Sequence, residues 1–220
     1  MARVSILMSV HGTGAWLPEA LASIPWEMQP EVIITANGRN DWLHVAEAEH
    51  EFGCANTFYY EDTLTLSDSL NAMLALAYGD YVMRLDPDDK LPKGALQAML
   101  ATAEAAPQPC VVYGGYVEFG ERVRRIKAGS PTLAAMRLHP PGAYNVLVNT
   151  SLARQIGGWI EEGYEDWHYQ ARLLLSGAPW VDAGMPTLLY RVRPDGRYAE
   201  FVRTNDARVA VIRGLLEVTP

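Results

Sequence analysis

The sequence predicts a single α/β domain over residues 1–220, with a Rossmann-like, mostly parallel central sheet flanked by helices and a smaller mixed region in its second half. Three observations carry that prediction. Short apolar segments at 4–10, 31–35, 57–60 and 81–85 alternate with helical patterns, which is the arrangement of βαβ units. Polar clusters His11-Gly12-Thr13, Ala36-Asn37-Gly38 and Asp86-Pro87-Asp88-Asp89 directly follow three of those segments. The 220 residues, 49% hydrophobic and 20% charged, suit one hydrophobic core and exclude collagen-like, coiled-coil and disordered classes.

The first strand, residues 4–10, is a nearly continuous apolar run, as in a strand covered on both faces. Pro18 opens a short helix to Ile24, and residues 31–35 form the second strand, closed by the turn pair Asn37-Gly38. Asp41 is expected to cap a helix that runs to Glu51 and stops at Gly53. After a third strand at 57–60, Ser67 is expected to cap a helix whose Leu70, Met73, Leu74 and Ala77 form one buried stripe. The fourth strand, 81–85, runs into the acidic turn, and a helix follows from Pro92 towards Ala105.

The second half is less regular. Residues 111–119 and 122–127 read as a hairpin around Gly120-Glu121. A short helix at 132–138, strands at 144–148 and 187–192, and helices at 165–176 and 207–216 complete the expectation. There is no internal repeat, low-complexity tract or linker.

Eighteen basic residues against 26 acidic ones give a net charge of −8, which argues against coating of a nucleic-acid duplex by a basic surface and leaves a local basic groove open. Cys54 and Cys110 form no CxxC or Cys/His cluster and read as buried thiols of a reducing compartment. The amino-terminal apolar run is too short for a signal peptide, and no segment reaches the roughly 18 apolar residues of a membrane span, so a cytoplasmic location is expected. The histidines lack zinc-ligand spacing, and no dinucleotide, P-loop or nucleophile-elbow pattern occurs.

Ligands of open parallel sheets bind beyond the carboxyl ends of the strands, which places a site at the three polar clusters. Asp86, Asp88 and Asp89 repel one another there unless a cation or donor groups compensate, and oxygen ligands suit Mg²⁺ or Mn²⁺. A turn and helix cap account for these residues equally well when taken alone, and the strand-end position favours metal. Asp88 or Asp89 could serve as that cap for the next helix, Asp89 being the one left free if Asp86 and Asp88 take a metal. Glu165-Asp166 supplies a second acidic pair, either as favourable charge in a first helical turn or as a general base. Helical spacing sets Glu165, Tyr169 and Arg172 on one stripe, a structural place for Glu165 that leaves Asp166 pointing elsewhere. Arg191, Arg193 and Arg197 around Pro194-Asp195-Gly196 form either a clamp for a diphosphate or a solvated loop.

These residues, in this order, resemble the family 2 glycosyltransferases of the GT-A fold over most of the chain. Residues 4–10 with Trp16-Leu17-Pro18-Glu19-Ala20-Leu21-Ala22-Ser23-Ile24 are similar to the family's opening strand and helix. Leu66-Ser67-Asp68-Ser69-Leu70-Asn71, Ala77-Tyr78-Gly79-Asp80-Tyr81 and Arg84-Leu85-Asp86-Pro87-Asp88-Asp89 resemble its central motifs, and Gly157-Gly158-Trp159, Glu165-Asp166-Trp167 and Arg172-Leu173 its later ones. The resemblance implies a metal-dependent, inverting hexosyltransferase that takes a nucleotide-sugar donor and Mn²⁺ or Mg²⁺. Residues 1–109 would bind the nucleotide-sugar, and 110–220 would bind the acceptor and carry the base. Asp88 would ligate the metal, Asp86 would meet the ribose or the metal's waters, and Asp166 would be the base beside Glu165. Ser9, His11, Asn37, Asp68, Arg84, Arg191 and Arg193 would line the donor. A UDP-sugar is the family's usual donor. The turn Ala36-Asn37-Gly38-Arg39, lacking the family's acids, leaves room for another nucleotide, with the Asn37 amide at a base edge.

The acceptor would be a glycan, a lipid-linked sugar, a protein or, against the acidic balance, a modified nucleic-acid base. Two competing functions are a non-catalytic nucleotide-sugar-binding protein, opposed by Glu165-Asp166, and a sugar-phosphate nucleotidyltransferase. The latter needs a basic glycine-rich loop, and Gly12-Thr13-Gly14 has no Lys or Arg beside it.

Overall fold

The computed structural model describes residues 2–54, 56–160 and 165–194, together with 210, 214 and 215. Strands β1 (Val4–Val10), β2 (Glu31–Asn37), β3 (Asn56–Tyr60) and β4 (Tyr81–Arg84) pair in parallel in the order β3-β2-β1-β4. Every residue of β1, β2 and β4 is buried, as the uninterrupted apolar runs require. Helices α1 (Leu17–Ala22), α2 (Trp42–Phe52), α3 (Leu66–Leu76) and α4 (Ala95–Ala105) fill the crossovers.

Strand alternation divides the apolar side chains between two cores. Ile6, Met8 and Val10 of β1 pack with Leu17 and Leu21 of α1, Val45 and Ala48 of α2 and Leu96 and Met99 of α4. Leu7 points to the other face, where Leu70, Met73, Leu74 and Ala77, the expected stripe, join Ile33 and Val82.

The second half extends the same sheet. β5 (Val111–Gly120) and β6 (Arg124–Ile126) form the antiparallel hairpin. After α5 (Leu133–Met136), β7 (Leu147–Asn149) inserts antiparallel between β4 and β5, which joins the two halves into one eight-stranded sheet. α6 (Thr150–Gln155), α7 (Glu165–Leu175) and β8 (Trp180–Val192) follow, β8 running parallel to β5. β8 begins earlier than expected, and a bridge between Leu189 and Lys90 lays its far end against the acidic turn after β4.

Three expected caps differ. Thr65, not Ser67, caps α3, its hydroxyl accepting from the Asp68 N–H, while Ser67 lies inside the helix. Asp41 precedes α2 but its carboxylate accepts from the N–H groups of Gly12 (2.6 Å) and Gly14 (3.0 Å) across the molecule. α4 begins only at Ala95 behind Gly94, whose φ of 78° favours glycine, so Asp89 is too far away to cap it. α6 was not foreseen, and the expected helix at 207–216 and Arg197 lie almost wholly outside the described residues.

Both cysteines are free and buried, and burial followed by Glu49 pushes the Cys54 thiol up to about 11. Among the described residues no helix is long and apolar enough to cross a membrane.

Candidate functional site

The turn after β4 gathers three aspartates at the sheet's carboxyl end. Carboxylate oxygens of Asp86, Asp88 and Asp89 lie within 4.8 Å of one another. Arg84, the last residue of β4, forks onto Asp86 with Nε–Oδ1 and Nη2–Oδ2 distances of 2.6 and 2.7 Å. The same guanidinium reaches Oε1 of Glu165 at 3.2 Å and lies 4.8 Å over the Tyr144 ring. Burial works against its charge, but Asp86 and Glu165 outweigh it and hold Arg84 well above its ordinary pKa. One buried cation thus ties the acidic turn to the head of α7.

The three aspartates have different employment. Asp89 is almost fully buried, and its carboxylate accepts from the Arg191 N–H (2.7 Å) and the Tyr144 hydroxyl (2.8 Å), so it braces the turn. Burial, then Asp88 and Asp86, hold its pKa well above the usual range. Asp88 is partly exposed with Arg193 Nε 3.4 Å from its carboxylate, and burial and Asp86 raise its pKa while Arg193 opposes them. These crowded hard-oxygen donors fit Mg²⁺ or Mn²⁺: their mutual repulsion is what a divalent cation relieves, and the set holds no soft ligand.

Asp166 follows Glu165 in the first turn of α7. Burial and the Glu165 charge push its carboxyl up to about 6, against the pull of Arg84. Glu165 meets Arg84, while Arg172 on the same helix donates to the carbonyls of Ile156 and Gly158 and, at 3.2 Å, to His168 Nδ1.

Arg191 and Arg193 arrive from β8. Arg191 packs over Trp16 (4.0 Å) and Phe119 (4.5 Å) and donates to the Asp88 carbonyl and to Glu19, which locks the turn to the segment after β1. The remaining expected donor residues lie along the same edge, with their side chains engaged by the fold. His11 is exposed with Nδ1 2.8 Å from the Asn37 carbonyl. Asn37 is buried, its amide donating to the Leu64 carbonyl (2.9 Å) and accepting from the Leu64 N–H (2.7 Å). Ser9 joins Ser69 and Thr35 in a buried chain of hydroxyls, and Asp68 accepts from the Thr65 hydroxyl in the α3 cap.

Sequence reasoning passed over Tyr144 and Asp41. Tyr144 carried no signal, and Asp41 carried one that pointed to a local cap.

Residues 5–158 match the family described as Glycosyl transferase family 2. The chain belongs to that family. Its fold is that of the GT-A glycosyltransferases, as solved structures show. TarS 1–349 of S. aureus in complex with UDP-GlcNAc superposes with a TM-score of 0.71 at 15% identity, covering 90% of this chain and 60% of that one. The mannosyltransferase PcManGT from Pyrobaculum calidifontis, in complex with GDP-Man and Mn²⁺, gives 0.64 at 16% identity, covering 99% and 70%. The chain therefore spans about 60% of the length of the TarS 1–349 structures. No protein of curated function matches the sequence. The family match ends before Glu165 and Asp166.

Proposed function

We propose that this family 2 glycosyltransferase moves a sugar from a nucleotide-sugar donor to an acceptor hydroxyl with inversion, using Asp166 as the base. The observation that carries the proposal is the single guanidinium of Arg84, which joins Asp86 of the acidic turn to Glu165 beside Asp166. It brings the acidic turn and Glu165, the neighbour of Asp166, into one cluster, which supports reading them as the two sides of one reaction centre. The complexes of TarS with UDP-GlcNAc and of PcManGT with GDP-Man and Mn²⁺ support a nucleotide-sugar and a divalent cation in the same fold.

In an inverting transfer the acceptor hydroxyl attacks the anomeric carbon from the face opposite the leaving diphosphate. The hydroxyl is far too weak an acid to ionise beforehand at neutral pH, so its proton must leave during the attack. Asp166, pushed up to about 6 chiefly by burial, is more basic than an ordinary aspartate. Glu165 raises that basicity by its charge, and Arg84 keeps both acids from repelling the cluster apart. Arg193, beside Asp88, stands where a diphosphate oxygen can be met by a charge-assisted hydrogen bond. Asp88 with Asp86 would hold a divalent cation, which neutralises charge developing on the leaving group. The exposed His11 ring and the loop that Asn37 holds through Leu64 form the nucleotide side.

A thermal-shift panel of UDP-, GDP- and other nucleotide-sugars, with and without Mn²⁺, tests the reading. A donor at a hundred times its Kd stabilises the fold by about 2.7 kcal/mol. The reading requires at least one Mn²⁺-dependent shift, and no shift with any nucleotide would refute it.

A further inference from the structure

Tyr144 lies in the segment before β7, where the second half of the sheet folds back against β4. Its hydroxyl accepts from the Asp86 N–H at 2.9 Å and donates to the Asp89 carboxylate at 2.8 Å. Its ring carries the guanidinium of Arg84, the group that forks onto the Asp86 carboxylate. One aromatic residue therefore holds the acidic turn at a backbone amide, at a carboxylate and through an arginine. The hydroxyl's proton and an acceptor lone pair are both committed, which fixes its orientation. Asp89 is gripped from its other side by the Arg191 N–H, so the turn is clamped between the segment before β7 and β8. Without such a clamp, three carboxylates this close would spread apart.

We infer that Tyr144 is a positioning residue for donor binding: it holds Asp86 and Asp88 in their binding arrangement before cation and nucleotide arrive. The inference rests on the reading of the acidic turn as the cation and diphosphate site. A side chain that orients ligating groups typically changes metal affinity by about 10–100-fold when removed. Tyr144→Phe is the informative change, because it keeps the ring under Arg84 and removes only the hydroxyl.

The test titrates Mn²⁺ by calorimetry, with UDP or GDP present, into wild type, Tyr144→Phe, Asp88→Asn and Glu118→Gln. The last weakens the ion pairs of the buried Glu118 carboxylate with the exposed Arg122 and Arg124 in the β5–β6 hairpin and reports what general destabilisation does. Expected are an Mn²⁺ affinity about tenfold weaker or more in Tyr144→Phe, a donor KM that rises more than kcat falls, and unchanged affinity in Glu118→Gln. Wild-type affinity in Tyr144→Phe, or an equal loss in Glu118→Gln, overturns the inference while leaving the donor site standing. No Mn²⁺ binding by wild type removes the underlying reading and the inference with it. Should Tyr144→Phe fail to fold, hydrogen exchange at the Asp86 amide of wild type decides. Protection already present without ligand supports a preformed turn, and protection gained only with Mn²⁺ and nucleotide overturns it.

Discussion

The turns after β2 and after β4 lie at the same end of one parallel sheet, with β1 between them, and they use their polar groups in opposite ways. After β2, the Asn37 amide is matched donor for acceptor by the backbone of Leu64, a neutral clasp that fastens one loop to another. After β4, Asp86, Asp88 and Asp89 are crowded together and held by Arg84, Tyr144 and Arg191, which come from both halves of the chain. A clasp of matched backbone bonds is complete by itself. A braced cluster of like charges holds electrostatic energy that a divalent cation would release. The difference separates the wall of a site from its working part.

Four experiments test that contrast. The largest effect is expected at Asp166, the proposed base. Asp166→Asn is nearly isosteric and should lower kcat by about 10²–10⁴ while donor-induced thermal shifts persist; near-wild-type turnover would move the role to Glu165. The pH profile comes next. The proposed base must be ionised to accept a proton, and burial with the Glu165 charge pushes the Asp166 carboxyl of the free protein up to about 6, so kcat/KM should fall about tenfold per pH unit below that value and level off above it. A flat profile from pH 5 to 8 would contradict the assignment.

Within the acidic turn, Asp89→Asn should cost about 1–3 kcal/mol in denaturant unfolding, because it disturbs a buried acceptor of two hydrogen bonds. Its effect on Mn²⁺ affinity should be smaller than that of Asp88→Asn. The smallest change is expected on the neutral side. Asn37→Ala should cost about 1–2 kcal/mol of stability through the lost clasp and weaken nucleotide binding, with Mn²⁺ affinity unaltered. Lost Mn²⁺ affinity there would show that the two turns are not independent.

Much of this architecture is written in local patterns. The apolar runs of β1, β2 and β4 and the stripe of Leu70, Met73 and Leu74 gave the doubly covered sheet, and the strand ends gave the place of the acidic turn. The misread parts are those decided by partners distant in sequence. Asp41 before a helix looks like a cap, yet its oxygens reach Gly12 and Gly14, 29 and 27 residues away. Asp89 looks like a cap for the same reason, and its partners are Tyr144 and Arg191, 55 and 102 residues on. An aspartate satisfies whichever N–H or hydroxyl the tertiary fold brings nearest, and a cap is only the nearest candidate in sequence. Tyr144 could not be found this way, since a lone tyrosine opening the strand expected at 144–148 reads as packing.

On the proposed function, the β4 turn receives the cation and diphosphate of a sugar donor through Asp88. This is tested most directly by measuring nucleotide-sugar affinity with and without Mn²⁺ in wild type and Asp88→Asn. Mn²⁺-enhanced binding in wild type, abolished in Asp88→Asn with the fold intact, is the predicted result. Mn²⁺-dependent binding of equal strength in both proteins would contradict it.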